Sequence, residues 1–130
     1  MKHEEITKEI IKAFYKVYNA LGYGFLEKVY LNALLIELLE VGFQVEKQRK
    51  IEVFYSGKLV GEYYADIMVN SIIILELKAH ECILEEHENQ LINYLKATEV
   101  EVGLLLNFGK KPEIKRKVFD NILKNQQRNP

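Results

Sequence analysis

Three charged side chains, Asp66, Glu76 and Lys78, interrupt the otherwise apolar run ADIMVNSIIILELKA at 65 to 79. An ionised group in such a segment is costly unless it is paired or coordinated. If the three converge, the two carboxylates make a hard-oxygen site suited to Mg2+ or Mn2+, and the Leu77 carbonyl could be a further ligand. Lys78 beside such an ion could orient or help deprotonate an attacking water and stabilise negative charge developing on a phosphate. That is an arrangement for phosphodiester hydrolysis. An ion pair between Lys78 and one acid, at strand ends that reach solvent, is the simpler account of the same residues. The short pattern D-x9-E-x-K does not by itself exclude it.

Convergence is a question of register. Alternation along the third strand puts Ile72, Ile74, Glu76 and Lys78 on one face and Ile73, Leu75 and Leu77 on the other. A two-residue turn at Asn70-Ser71 would pair Asp66 with Leu75 and send the two acids to opposite faces. A three-residue loop, or a bulge, pairs Asp66 with Glu76 instead.

Other residues could join them. On a helical wheel Glu27 shares a face with Tyr30, Leu31, Leu34, Leu38 and Val41, so it is expected to point into a buried stripe. A first-turn acid complements the helix dipole by about 0.5 kcal/mol, but the dipole does not require that direction. Gln90 and Tyr94 are spaced i, i+4, with His87 near the same face, and could line a phosphate or sugar pocket; a partly exposed helix face has the same spacing. His80, Glu81, Glu85 and His87 lack a recognised zinc-ligand spacing. Tyr55, Tyr63 and Tyr64 could stack on bases, although strands favour tyrosine in any case.

The elements that must position these groups are legible from period and breakers. Ile6, Ile10, Phe14, Val17 and Leu21 recur at helical spacing, which predicts a helix over 4 to 21, stopped by the Gly-Tyr-Gly at 22 to 24. A second helix is expected from about Phe25 to Val41, capped by Gly42 and apolar nearly all round, hence mostly buried. From Val45 the period changes to two strands joined at Ser56-Gly57-Lys58. The β-branched run IIILELK follows as a central strand covered on both faces. Residues 85 to 98 return to helical composition and 100 to 108 form another strand. EIKRKVF after Pro112 reads as an edge strand or a helical turn, and the tail NQQRNP as frayed. The order is ααβββαβ with an optional last strand, an α/β (α+β) chain in one domain over residues 1 to 130, without linker or repeat.

Composition narrows the function classes. With 18 Lys plus Arg against 19 Asp plus Glu the net charge is -1, so any attraction to nucleic acid must come from a local patch. The single cysteine, Cys82, cannot form an internal disulfide, which points to a reducing, cytoplasmic compartment. The first residues carry charges where a signal peptide needs an apolar core, and no apolar run approaches membrane-spanning length.

GFLEKVY (24 to 30), ADIMVNSIIILELKA (65 to 79), HENQLINYLKAT (87 to 98) and LLLNFG (104 to 109) together resemble the GxxExxY protein family, assigned to the PD-(D/E)XK nuclease superfamily. The family pattern itself falls on Gly24, Glu27 and Tyr30. The resemblance implies a restriction-endonuclease-like αβββαβ core with a mixed central sheet flanked by helices. It also implies catalytic and metal roles for Asp66, Glu76 and Lys78, a metal-assisting role for Glu27, and substrate contacts for Gln90 and Tyr94. Where many relatives carry an arginine two residues before the aspartate, this chain has Tyr64. The activity so implied is a metal-dependent nuclease acting on DNA or RNA. The alternative is a non-catalytic nucleic-acid-binding or protein-interaction module that keeps the fold. By analogy, a nuclease of 15.2 kDa is compatible with action as a homodimer.

Overall fold

The structure, a computed structural model, describes residues 1–124; the expectation for NQQRNP falls outside the described residues. The chain forms α1 (Glu4–Leu21), α2 (Glu27–Val41), β1 (Val45–Tyr55), β2 (Lys58–Val69), β3 (Ile73–Lys78), α3 (Glu85–Lys96), β4 (Val102–Phe108) and β5 (Pro112–Val118), followed by a short 3-10 turn at Asn121–Leu123. The five strands make one mixed sheet in the order β1-β2-β3-β4-β5. β3 and β4 are parallel and joined through α3, whereas the other neighbours are antiparallel. The segment after Pro112 is therefore the edge strand of the two expectations.

Two cores lie on opposite sides of the sheet. α1 and α2 cover one side through Ile10, Phe14, Val17, Tyr30, Leu34 and Leu38, which meet Ile67, Val69, Ile73, Leu75 and Leu77. α3 covers the other through Leu91, Tyr94 and Leu95 against Ile74 and Leu105. Gly103 makes that contact possible, because a Cβ there would stand 2.6 Å from Leu91 Cδ1. β3 is buried throughout except at Lys78, as its apolar run requires. Ile72 departs from the expected alternation. It lies in the turn before β3 and packs toward the α1/α2 side.

The expectation that α2 is mostly buried is wrong. Tyr30, Leu34 and Leu38 are buried, but Leu26, Ile36 and Leu39 stand more than half exposed. A helix lying on one sheet face needs only one stripe, and nothing among the described residues covers the other apolar side.

β1 and β2 run on beyond β3, which pairs only with Ile67, Met68 and Val69. The free part of this ribbon twists toward α3, where Ile51 and Ala65 join the core beneath that helix and the Tyr63 ring lies 5.7 Å from the Tyr94 ring. The change of face falls at Asp66, opposite the irregular Gln48 with φ 54°. The ribbon closes at Ser56 and Gly57, both at positive φ.

Candidate active site

The β2–β3 hairpin turns through Asn70, Ser71 and Ile72, three residues between the paired Val69 and Ile73. Asn70 and Ser71 adopt φ of 51° and 59°, and the Ile72 amide donates to the Val69 carbonyl at 3.0 Å. Asn70 also exchanges bonds with Gln44: its amide donates to the Gln44 carbonyl at 2.8 Å, and its Oδ1 accepts from the Gln44 amide at 2.9 Å. The odd loop shifts the register so that Ile67 faces Leu75, and Asp66 therefore comes opposite Glu76.

At this level side chains take over from the ladder. The Asp66 amide donates to Glu76 Oε2 at 2.8 Å, and the Leu77 amide donates to Asp66 Oδ2 at 2.8 Å. Each carboxylate commits one oxygen to the other strand's backbone where the strands part. Glu76 is only 3% exposed, and burial, reinforced by the charge of Asp66, pushes its carboxyl up to about 8. Burial likewise raises Asp66, against the Leu77 amide and Lys78, while Glu27 adds to the rise.

Lys78 lies close enough for its charge to act on Asp66, Glu76 and His87. Among the described residues it nevertheless forms no salt bridge within 4.0 Å. The simple ion pair that would have explained the three charges is not what they make.

Glu27 enters from the start of α2. Gly24, with φ 107°, turns the chain, and the buried Tyr30 locks the turn: its hydroxyl donates to the Gly22 carbonyl at 2.6 Å and accepts from the Phe25 amide at 3.2 Å. The Tyr30 ring stacks on Phe108 at the end of β4, 4.2 Å between centroids. Glu27 is on the face the wheel assigns to it, but not inside the core. Its side chain is 46% exposed and its Oε2 lies 3.7 Å from His80 Nε2. As the first residue of the helix it precedes the first buried position, Tyr30, by one turn, so facing did not translate into depth.

A second set of residues, absent from the sequence reading, shapes the loop after β3. The buried Asn107 Oδ1 accepts from the His80 amide at 2.9 Å, and its Nδ2 donates to the His80 carbonyl at 3.0 Å. Glu113 Oε1 accepts from Asn107 Nδ2 and from the Ile83 amide. Gly109 lets the loop pass, since a Cβ there would stand 2.4 Å from the His80 carbonyl oxygen. The available signal was Asn107 itself, a polar residue within LLLNF.

On α3, Tyr94 is buried, and burial followed by the charges of Glu76 and Asp66 pushes its hydroxyl up to about 12. Gln90 and Tyr94 both line a groove between α3 and the ribbon, so the i, i+4 pair does share a face. His87 Nδ1 accepts from the Leu84 amide at 3.0 Å and caps the helix. Burial, with Lys78 and His80, lowers its pKa.

Among the described residues no three His, Cys, Asp or Glu side chains gather closely enough to hold a metal by themselves. The paired carboxylates fit Mg2+ better than zinc, because Mg2+ takes one or two carboxylates and completes its shell with water and phosphate oxygens. No helix among the described residues is long and apolar enough to cross a membrane.

The fold resembles that in the crystal structure of SSO0001, with a TM-score of 0.59 and 20% identity over 92% of this chain. This chain spans 60% of the length of that one, and the likeness is one of fold. No functionally curated protein matches the chain. Residues 4–117, a stretch that runs from α1 through the paired carboxylates to β5, match the family description, and the chain belongs to the PD-(D/E)XK nuclease superfamily.

Proposed function

We propose that the protein is a divalent-metal-dependent nuclease of the GxxExxY type within that superfamily, hydrolysing phosphodiester bonds of DNA or RNA in the reducing cytoplasm. One observation carries the reading: the half-buried Asp66 and the buried Glu76 lie side by side, held by backbone amides and without an ion-paired partner. Two adjacent carboxylates arranged in this way are left with charge that a cation would compensate.

Asp66 and Glu76 would hold Mg2+ or Mn2+, with the Leu77 carbonyl as a further ligand and Glu27 assisting through its charge. A bound divalent ion supplies Lewis acidity toward the scissile phosphate. Lys78 orients the attacking water and stabilises the charge that develops on the phosphate oxygens. Gln90 and Tyr94 contact the substrate from α3. Gly24 and Tyr30 act indirectly, by fixing where α2 begins and hence where Glu27 stands.

A non-catalytic module is the second reading, favoured by the state of the basic residues. Lys16, Arg49, Lys50 and Lys117 are each engaged with an acid, which reduces the positive surface open to a polyanion. A cleavage assay with Mn2+ beside Lys78→Ala separates the two. The nuclease reading expects a loss of roughly 10²–10³-fold with circular dichroism unchanged. Absence of cleavage on varied substrates, with no heat of metal binding, would support the module.

A further inference from the structure

The groove between α3 and the β1–β2 ribbon has a volume of about 940 Å³. Tyr55 and Tyr63 line it from the ribbon, and Asn89, Gln90, Asn93 and Tyr94 from α3. Tyr55 is 65% exposed and Tyr63 49% exposed, so burial does not account for either ring. Asp66 and Glu76 do not line the groove, but its wall adjoins them. Tyr94 is part of its wall and lies near enough to Glu76 and Asp66 to feel both charges, and Tyr63 lies against Tyr94 three residues before Asp66.

We propose that this groove takes the unpaired bases of a single-stranded nucleic acid that flank the phosphate held at Asp66 and Glu76. The inference rests on the nuclease reading and assigns its substrate class.

Duplex binding draws on free Lys and Arg that neutralise rows of phosphates. The ribbon offers few of them: Arg49 is bonded to Glu46 and Lys50 to Glu62, which leaves Lys47 and Lys58. At the groove, Lys96 sits over the Phe119 ring at 5.5 Å, and Glu86 adds an acid to the lining. What the groove does offer is exposed rings and carboxamides. A base has a π-face for tyrosine, and its Watson–Crick edge can exchange donor and acceptor bonds with Asn or Gln. Both surfaces are free only when the base is unpaired and unstacked. The rings and carboxamides of the lining therefore favour a single strand over a duplex.

The test uses the full chain in chelator, where binding is read without cleavage. Fluorescence anisotropy would compare labelled oligo-dT, oligo-rU and a blunt duplex against wild type, Tyr55→Ala and Tyr55→Phe. The single strands should bind at least about tenfold more tightly than the duplex, with Tyr55→Ala losing about tenfold and Tyr55→Phe close to wild type. Equal or tighter duplex binding, no measurable binding to either single strand, or a Tyr55→Ala affinity equal to wild type would overturn the proposal. A cleavage arm with Mn2+ keeps the two readings apart. Duplex cut as fast as single strand, with Tyr55→Ala unimpaired, removes the groove and leaves the nuclease. Absence of both cleavage and metal binding removes the nuclease, while the chelator arm still decides whether the groove binds single strands.

Discussion

Acids at two places in this molecule meet opposite fates. Toward the β4–β5 edge, Glu88 bonds Lys117, and Glu101 bonds the Asn121 amide and Lys2, and both carboxyls are held below their ordinary range by those partners. At the end of β2 and β3, Asp66 and Glu76 also accept hydrogen bonds, yet burial drives both upward, helped by the charge of Asp66 at Glu76 and of Glu27 at Asp66. The first pair of acids sits part-exposed beside lysines. In the second, Glu76 is shut away from water beside the half-buried Asp66, and a backbone amide supplies only part of a charge. Hydrogen bonds satisfy the geometry of a carboxylate without settling its electrostatics.

The contrast is broken most directly at Asp66. Asp66→Asn keeps an acceptor for the Leu77 amide and removes one negative charge. Cleavage should fall by roughly 10²–10³-fold or more. Calorimetry should show Mn2+ at one hundred times its dissociation constant stabilising the wild type by about 2.7 kcal/mol and leaving Asp66→Asn unmoved. A wild-type midpoint unaltered by millimolar Mn2+, or a substantial loss of metal-free stability in Asp66→Asn, would return the acids to an ordinary structural role.

pH sharpens the comparison because the two regions have opposite signs. Glu76 keeps its proton in the native protein up to about 8 but releases it from the unfolded chain near 4.5. Between those values the native state binds more protons, so this contribution is full below 4.5 and is lost as pH rises through 8. Glu88 and Glu101, with depressed native values, contribute above the ordinary carboxylate range and lose that contribution as pH falls. Urea midpoints in chelator should therefore carry a declining component across pH 4.5 to 8 that disappears in Glu76→Gln. Glu101→Gln should soften only the acid limb. If Glu76→Gln leaves the upper window unchanged, the two regions are electrostatically alike.

Glu27 carries the smallest expected effect, because it is half exposed and reaches the carboxylates through its charge. Glu27→Gln should weaken Mn2+ binding by less than about tenfold, with an unchanged thermal midpoint. A loss as large as that of Asp66→Asn would place Glu27 on the ion itself.

The framework of the fold was legible because periodicity reports burial. Ile10, Phe14 and Val17 mark the buried side of α1, and the β-branched run of β3 marks a central strand. Alternation placed Glu76 and Lys78 together. It could not place Asp66, since Asn70-Ser71 suits a two-residue turn as well as a longer one, and nothing in the apolar side chain of Ile72 announces that it stays in the loop. The depth of Glu27 and the bareness of Ile36 and Leu39 were hidden for a related reason. A helical wheel gives direction around an axis, not position along it or the extent of the neighbouring sheet. Asn107 was overlooked although it raises the same question as Glu76: a polar group within an apolar strand holds something, in its case the backbone of His80.

The amides of Asp66 and Leu77 donate to ionisable oxygens, whereas a typical sheet amide donates to a carbonyl that does not titrate. Their nuclear magnetic resonance signals should therefore move as the carboxylates gain or lose charge. Two backbone probes, one on each strand, are thus wired to the proton occupancy of the centre, and a labelled sample would display it without a chromophore or a substrate.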